Sequence, residues 1–222
     1  MMKKAIRFGI YLAGLAILAL GIILNTKTGL GVSPVTSVPF VISQLSGWSI
    51  GNTTLAFYII YIVAEIVLKG KKAGVLEILQ LPVSIAFTRI MNLFSAAIPM
   101  PTHLAGRILF LLLGIIFTGI GMAMSLAMRL VPNPGDGIVQ AVSDFSGKEV
   151  GLCKRWFDGV MVVIAAAIAL IASRSLLGIG IGTVAAVFGI GKTAGVFNKL
   201  CKEKLERLAG MPHSGKTDGG KD

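Results

Sequence analysis

Arg89 and Asp136 each carry a charge where the surrounding sequence carries almost none. An ionisable side chain within a membrane-length apolar run costs about 2.5–3.5 kcal/mol on insertion scales, so it is a functional candidate by default. Arg89 lies in the middle of the apolar run 78–98, with Thr88 and Asn92 near it. It is a candidate substrate contact; the alternative is a plain ion pair with an acid. Asp136 follows Pro134 at the expected start of a helix, where free N–H groups favour negative charge. That makes it the candidate ion-coupling residue, against the alternative of an ordinary capping acid. Ser33, Thr36 and Asn133 bring hydroxyl and amide groups to the same kind of helix start and complete the candidate substrate-binding set. Arg155 and Asp158, three residues apart on one helical face, are expected to form a structural pair. Glu65 and Glu77 flank the basic stretch 69–72 and read as interface residues, and Lys192 is placed to snorkel. Gly178, Gly182, Gly191 and Gly195 follow small-xxx-small spacing, which predicts close helix packing rather than binding.

Other chemistry is missing. The sequence has no Walker A motif, no HExxH, no GxSxG and no cluster of histidine with acids, so no enzyme activity, cofactor or metal is expected. Asp136-Gly137 begins like a phosphatidyltransferase signature, but the acids that should follow at helical spacing are absent. Cys153 and Cys201 are far apart and form no CxxC, and His103 and His213 are isolated.

The elements that position these residues follow from composition. Of 222 residues, 55% are hydrophobic and only 14% charged, too few polar groups to cover a soluble fold of this size. The formal net charge of +11 suggests a nucleic-acid binder at first sight. The basic residues, however, stand in short clusters between long apolar runs, which is the pattern of membrane loops. Crossing a hydrocarbon core takes about 20 apolar residues as a helix. Six such runs occur, near 5–24, 53–68, 78–98, 104–128, 156–172 and 177–197, predicting an all-α polytopic membrane protein. Placing the N-terminus in the cytoplasm puts sixteen of the 21 basic residues inside and three outside, so both termini are expected to be cytoplasmic. The basic tail 201–222 is expected to be cytoplasmic, with disorder in 210–222.

An internal repeat organises the spans. Sliding the chain by 100 positions aligns 5–63 with 105–163 at thirteen identities, including Gly14/Gly114, Gly21/Gly121, Pro34/Pro134, Ser43/Ser143 and Gly47/Gly147. Matched glycines and a proline mark shared backbone geometry. The expected units are 1–100 and 101–200, each with three spans; an odd number of spans inverts the second unit relative to the first. Between the first and second spans of each unit lies a shorter segment beginning at Pro34 or Pro134 and ending at Gly47 or Gly147. A dozen helical residues cannot span, so each segment either re-enters the membrane or rests on its surface. Val38, Phe40, Val41 and Ile42 make the first one apolar around its circumference, which favours re-entry.

At these residues the chain resembles the YczE/YitT-type integral membrane proteins of bacteria. The resemblance rests on Leu30-Gly31-Val32-Ser33-Pro34, Pro134-x-Asp136-Gly137, Gly147, Arg155 with Asp158, Gly178-x-Gly180-x-Gly182-Thr183 and Gly189-x-Gly191, and extends to about residue 200. Two departures stand out: Val35-Thr36 replaces a frequent Trp-Asp, and Lys192 replaces a frequent proline. The first removes an acid from one of the two half-sites. The resemblance implies a multi-pass inner-membrane protein for which transport or export is suspected. Paired interrupted helices in two halves lead to the same expectation, a small secondary transporter or exporter. A non-transporting scaffold or assembly factor for a partner complex is the alternative. The partners expected are the bilayer, a small-molecule substrate and, as an option, a second copy in a homodimer, with no nucleic acid.

Overall fold

The computed structural model describes residues 2–211, and every regular element in them is helical. Six long helices, α1 (Met2–Thr26), α3 (Ile50–Lys69), α4 (Val75–Ala97), α5 (Leu104–Ala127), α7 (Val150–Ser173) and α8 (Ile181–Leu208), are long and apolar enough to cross a membrane. Two short ones, α2 (Pro34–Ser46) and α6 (Pro134–Ser146), stand at matching places in the two halves. The last long helix starts at Ile181 rather than near 177, and it continues through 201–208, where the sequence suggested tail. His213 and the tail 212–222, part of the stretch expected to be disordered, lie outside the described residues.

Proline and glycine set the ends of both short helices. Pro34 and Pro134 sit in the first turn, where a missing N–H costs nothing. Gly47 and Gly147 close the helices in the left-handed region at φ 72° and 68°. Ser43 and Ser143 then donate to the carbonyls of Trp48 and Lys148 at 2.7 and 2.6 Å, fixing the turn into the next helix in the same way in both halves.

The repeated glycines form the centre of the bundle. A Cβ on Gly14 would lie 2.9 Å from the Ser125 nitrogen, and one on Gly114 would lie 3.0 Å from the Asn25 nitrogen. A Cβ on Gly21 would collide with the backbone of Thr118, and one on Gly121 with that of Leu18. As the glycine position rises along α1 its partner falls along α5, so the two helices cross antiparallel, backbone against backbone. In a membrane, where lipid is as apolar as leucine, such close van der Waals approach is what holds helices together.

Around this seam the halves interlock. The short helix of each half packs on the third helix of the other, α2 on α7 and α6 on α3, while α4 flanks α1 and α8 flanks α5. Equivalent residues meet at the crossing: the Tyr61 hydroxyl donates to Met161 Sδ at 3.3 Å, and Val35 Cγ1 packs against Gly135. The loop before α2 is tied to the loop before α8 by Val32 N–H to Gly178 O at 2.9 Å and Gly182 N–H to Leu30 O at 2.8 Å.

Candidate functional site

The first turns of α2 and α6 converge on one cavity of about 210 Å³. Ser33 and Thr36 line it from one side, Asn133, Gly135 and Asp136 from the other. α7 contributes Lys154, Arg155 and Asp158, α3 contributes Tyr58, and Thr118 of α5 with apolar side chains of α1, α5 and α8 closes the remainder. Both short helices are largely buried over these turns, so they lie inside the bundle rather than on its surface.

Local geometry explains how the polar groups are held. Asn133 caps α6 by accepting from the Gly135 N–H at 3.0 Å, which leaves its Nδ2 to donate to the Tyr58 hydroxyl at 3.1 Å. Tyr58 is itself buried and stacked on Phe87, so the cap and the cavity wall are one unit. Ser33 makes no side-chain cap bond; its hydroxyl is 2.8 Å from that of Thr36. Asp136 Oδ1 and Lys154 Nζ form an ion pair at 3.7 Å, with both side chains still partly accessible. Asp158 Oδ1 is buried without a hydrogen-bond partner. A cavity with two helix N-termini, two carboxylates and two cations can hold a small polar or zwitterionic group by charge and hydrogen bonds.

Five of the residues picked out as substrate contacts were Arg89, Ser33, Thr36, Asn133 and Asp136, and the last four share this cavity. Arg89 does not. It is exposed at the other end of the α3–α4 pair, donating to Asn52 Oδ1 at 3.2 Å. Arg155 and Asp158 both line the cavity, yet among the described residues the ion pair there joins Lys154 to Asp136 instead. Gly151, Lys154, Arg155 and Asp158 recur at helical spacing, and this polar stripe on an apolar span was the available signal for Lys154.

Glu65 and Glu77, read as interface residues beside 69–72, are buried. Lys69 donates to Glu65 Oε1 at 2.6 Å and to Glu77 Oε1 at 2.7 Å, and Gln80 Nε2 donates to Glu65 Oε2 at 2.8 Å. Of the glycines expected to pack helices, Gly182 lies against the Leu30 backbone and Gly178 against the Phe40 ring, while Gly191 and Gly195 face open space. Cys153 and Cys201 are free, and no group of three or more metal-ligating side chains occurs among the described residues.

Residues 5–199 match the model of a family of unknown function, DUF6198, and the chain belongs to that family. It is also 30% identical over 209 residues to an uncharacterized protein of Haemophilus influenzae, covering 92% of this chain and 85% of that one. No solved structure matches it. The class is thus a polytopic helical membrane protein.

Proposed function

We propose that this protein is a secondary transporter or exporter of a small molecule across the bacterial inner membrane, with both termini cytoplasmic. Its halves act as inverted repeats of the YczE/YitT type, and the central cavity is the substrate site. One observation carries the reading: the first turns of the two repeat-related short helices meet at a single cavity holding charged groups. The antiparallel glycine seam and the contacts Tyr61–Met161 and Val35–Gly135, each between equivalent positions, support an axis relating the halves. In this reading Ser33, Thr36 and Asn133 orient the substrate, and Asp136 exchanges its Lys154 partner for a substrate cation or a coupling ion. No enzymatic step is involved, and a homodimer is compatible with the scheme.

The scaffold alternative draws on the hydrogen-bonded network of Glu65, Lys69, Glu77 and Gln80, which resembles structural pairing. It accounts less well for Asp158, whose buried oxygen is unmatched. Cysteine accessibility separates the two. With Cys153 and Cys201 replaced, single cysteines at Ser33, Thr36 and Gly135 are challenged with a membrane-impermeant maleimide from each face. A transporter should label the same position from both sides. Labelling from one side only, or from neither, would favour the scaffold.

A further inference from the structure

Glu65 is fully buried, and its two oxygens are held by different donors, Lys69 on Oε1 and Gln80 on Oε2. Glu77 shares the Lys69 ammonium and also accepts the Gly74 N–H at 2.7 Å. With both carboxylates and Lys69 ionised, the set keeps one uncompensated negative charge in a low-dielectric site, which a proton would neutralise. The other charged groups around it are Asp136 and Lys154, which line an adjoining cavity with Glu65, and Lys72 and Asp144, which line a groove with Lys69. Gln80 Oε1 is buried without a partner. An amide suits either protonation state: Nε2 donates to a carboxylate and, turned over, Oε1 accepts from a carboxylic acid.

Three cavities follow one another through shared lining residues. An open groove of about 530 Å³ is lined by Lys69, Lys72 and Asp144. Lys69 also lines a cavity of about 300 Å³ that contains Glu65, Asp136 and Lys154. Asp136 and Lys154 in turn line the central cavity. A cavity needs only about 10–15 Å³ of probe volume and a few polar partners to admit a water molecule. We propose that this series is a proton path from the 69–72 end of the bundle to the central cavity, with Glu65 and Asp136 as successive proton-binding carboxylates. A hydronium ion of the bulk phase breaks one of its O–H bonds and becomes water as an O–H bond forms at Glu65 Oε2; that bond breaks in turn as water in the middle cavity carries the proton to an Asp136 oxygen, releasing Lys154. Coupling is built into α6, because Asp136 faces the cavities while the next residue, Gly137, has no room for a Cβ beside Glu65 Oε2. A shift of α6 therefore changes the surroundings of both carboxylates together. The path rests on the transport reading for its purpose, but proton binding itself needs no substrate.

Infrared difference spectroscopy on liposome-reconstituted protein, between acid and alkaline buffer, reads it directly. The expected result is that one titrating carboxylic-acid C=O band is lost in Glu65→Gln and a different one in Asp136→Asn. Gln80→Leu, which keeps Glu65 but removes its amide partner, should move the first band's midpoint. A folded Glu65→Gln protein with an unchanged spectrum overturns the proposal. If that variant does not fold, an unmoved midpoint in Gln80→Leu overturns it instead. Bands without substrate flux would remove the transport reading alone, and flux without a Glu65 band would remove this inference alone.

Discussion

The two interlocking contacts between the halves, α2 on α7 and α6 on α3, occupy equivalent places and are built from opposite chemistry. In the first, Val38 and Val41 pack on Ala165 and Ala169, all essentially excluded from solvent. In the second, the positions one hundred residues away are Ile138 and Ala141 on the short helix and Glu65 and Lys69 on the long one. Gly137 makes room for the Glu65 carboxylate where Ser37, its counterpart, instead shares its hydroxyl proton between Pro34 O at 2.6 Å and Met161 O at 3.2 Å. One backbone arrangement thus serves as an apolar seal on one side and as a charged, hydrogen-bonded junction on the other. Apolar packing has no ionisation state to change, whereas the buried carboxylate contact depends on its charge. The two junctions share a helix arrangement, and the residues at a few corresponding positions decide which junction can respond.

Substitutions test this contrast in order of expected effect. Lys69→Met removes the cation shared by two buried carboxylates and should cost about 3–5 kcal/mol, the loss for breaking a buried ion pair from one side. Its melting temperature in detergent should fall sharply and recover in part when Glu65→Gln and Glu77→Gln are added. Absence of recovery would show that the charges are not what that junction balances. Ala165→Glu places the acid of one junction in the other, where no lysine or glutamine awaits it, at about 3 kcal/mol for an unpaired charge in a span. If it is tolerated with no loss, the apolar junction is not sealed. Ser37→Ala deletes an interhelical hydroxyl from the apolar junction and should cost only about 0.6 kcal/mol, the mean for such bonds in a membrane. Asp136→Asn keeps shape and hydrogen bonding, so its melting temperature should hardly move while ion-coupled flux in proteoliposomes is abolished. Unchanged flux in that folded variant would take Asp136 out of the coupling step.

Much was legible in the residues themselves. Apolar run length and the scarcity of charge determine six spanning helices, because backbone groups in lipid must be satisfied within a helix. The proline and glycine positions determine two short helices with matching ends, because each residue type fixes a backbone angle that few others adopt. Thirteen positions match at an offset of one hundred, and the polar residues beside Pro34 and Pro134 mark the cavity's two helix starts. What the sequence could not determine was which faces turn inward. Arg89 and Glu65 both lie in otherwise apolar spans, yet one is exposed beside Asn52 and the other is buried against Gly137. Likewise, Arg155 and Asp158 have the spacing of a pair, but α6 brings Asp136 to Lys154 from more than a dozen residues away. Spacing along one helix fixes only which side chains share a face; the rotation of that helix, and so what its face meets, is decided by packing against helices distant in the chain.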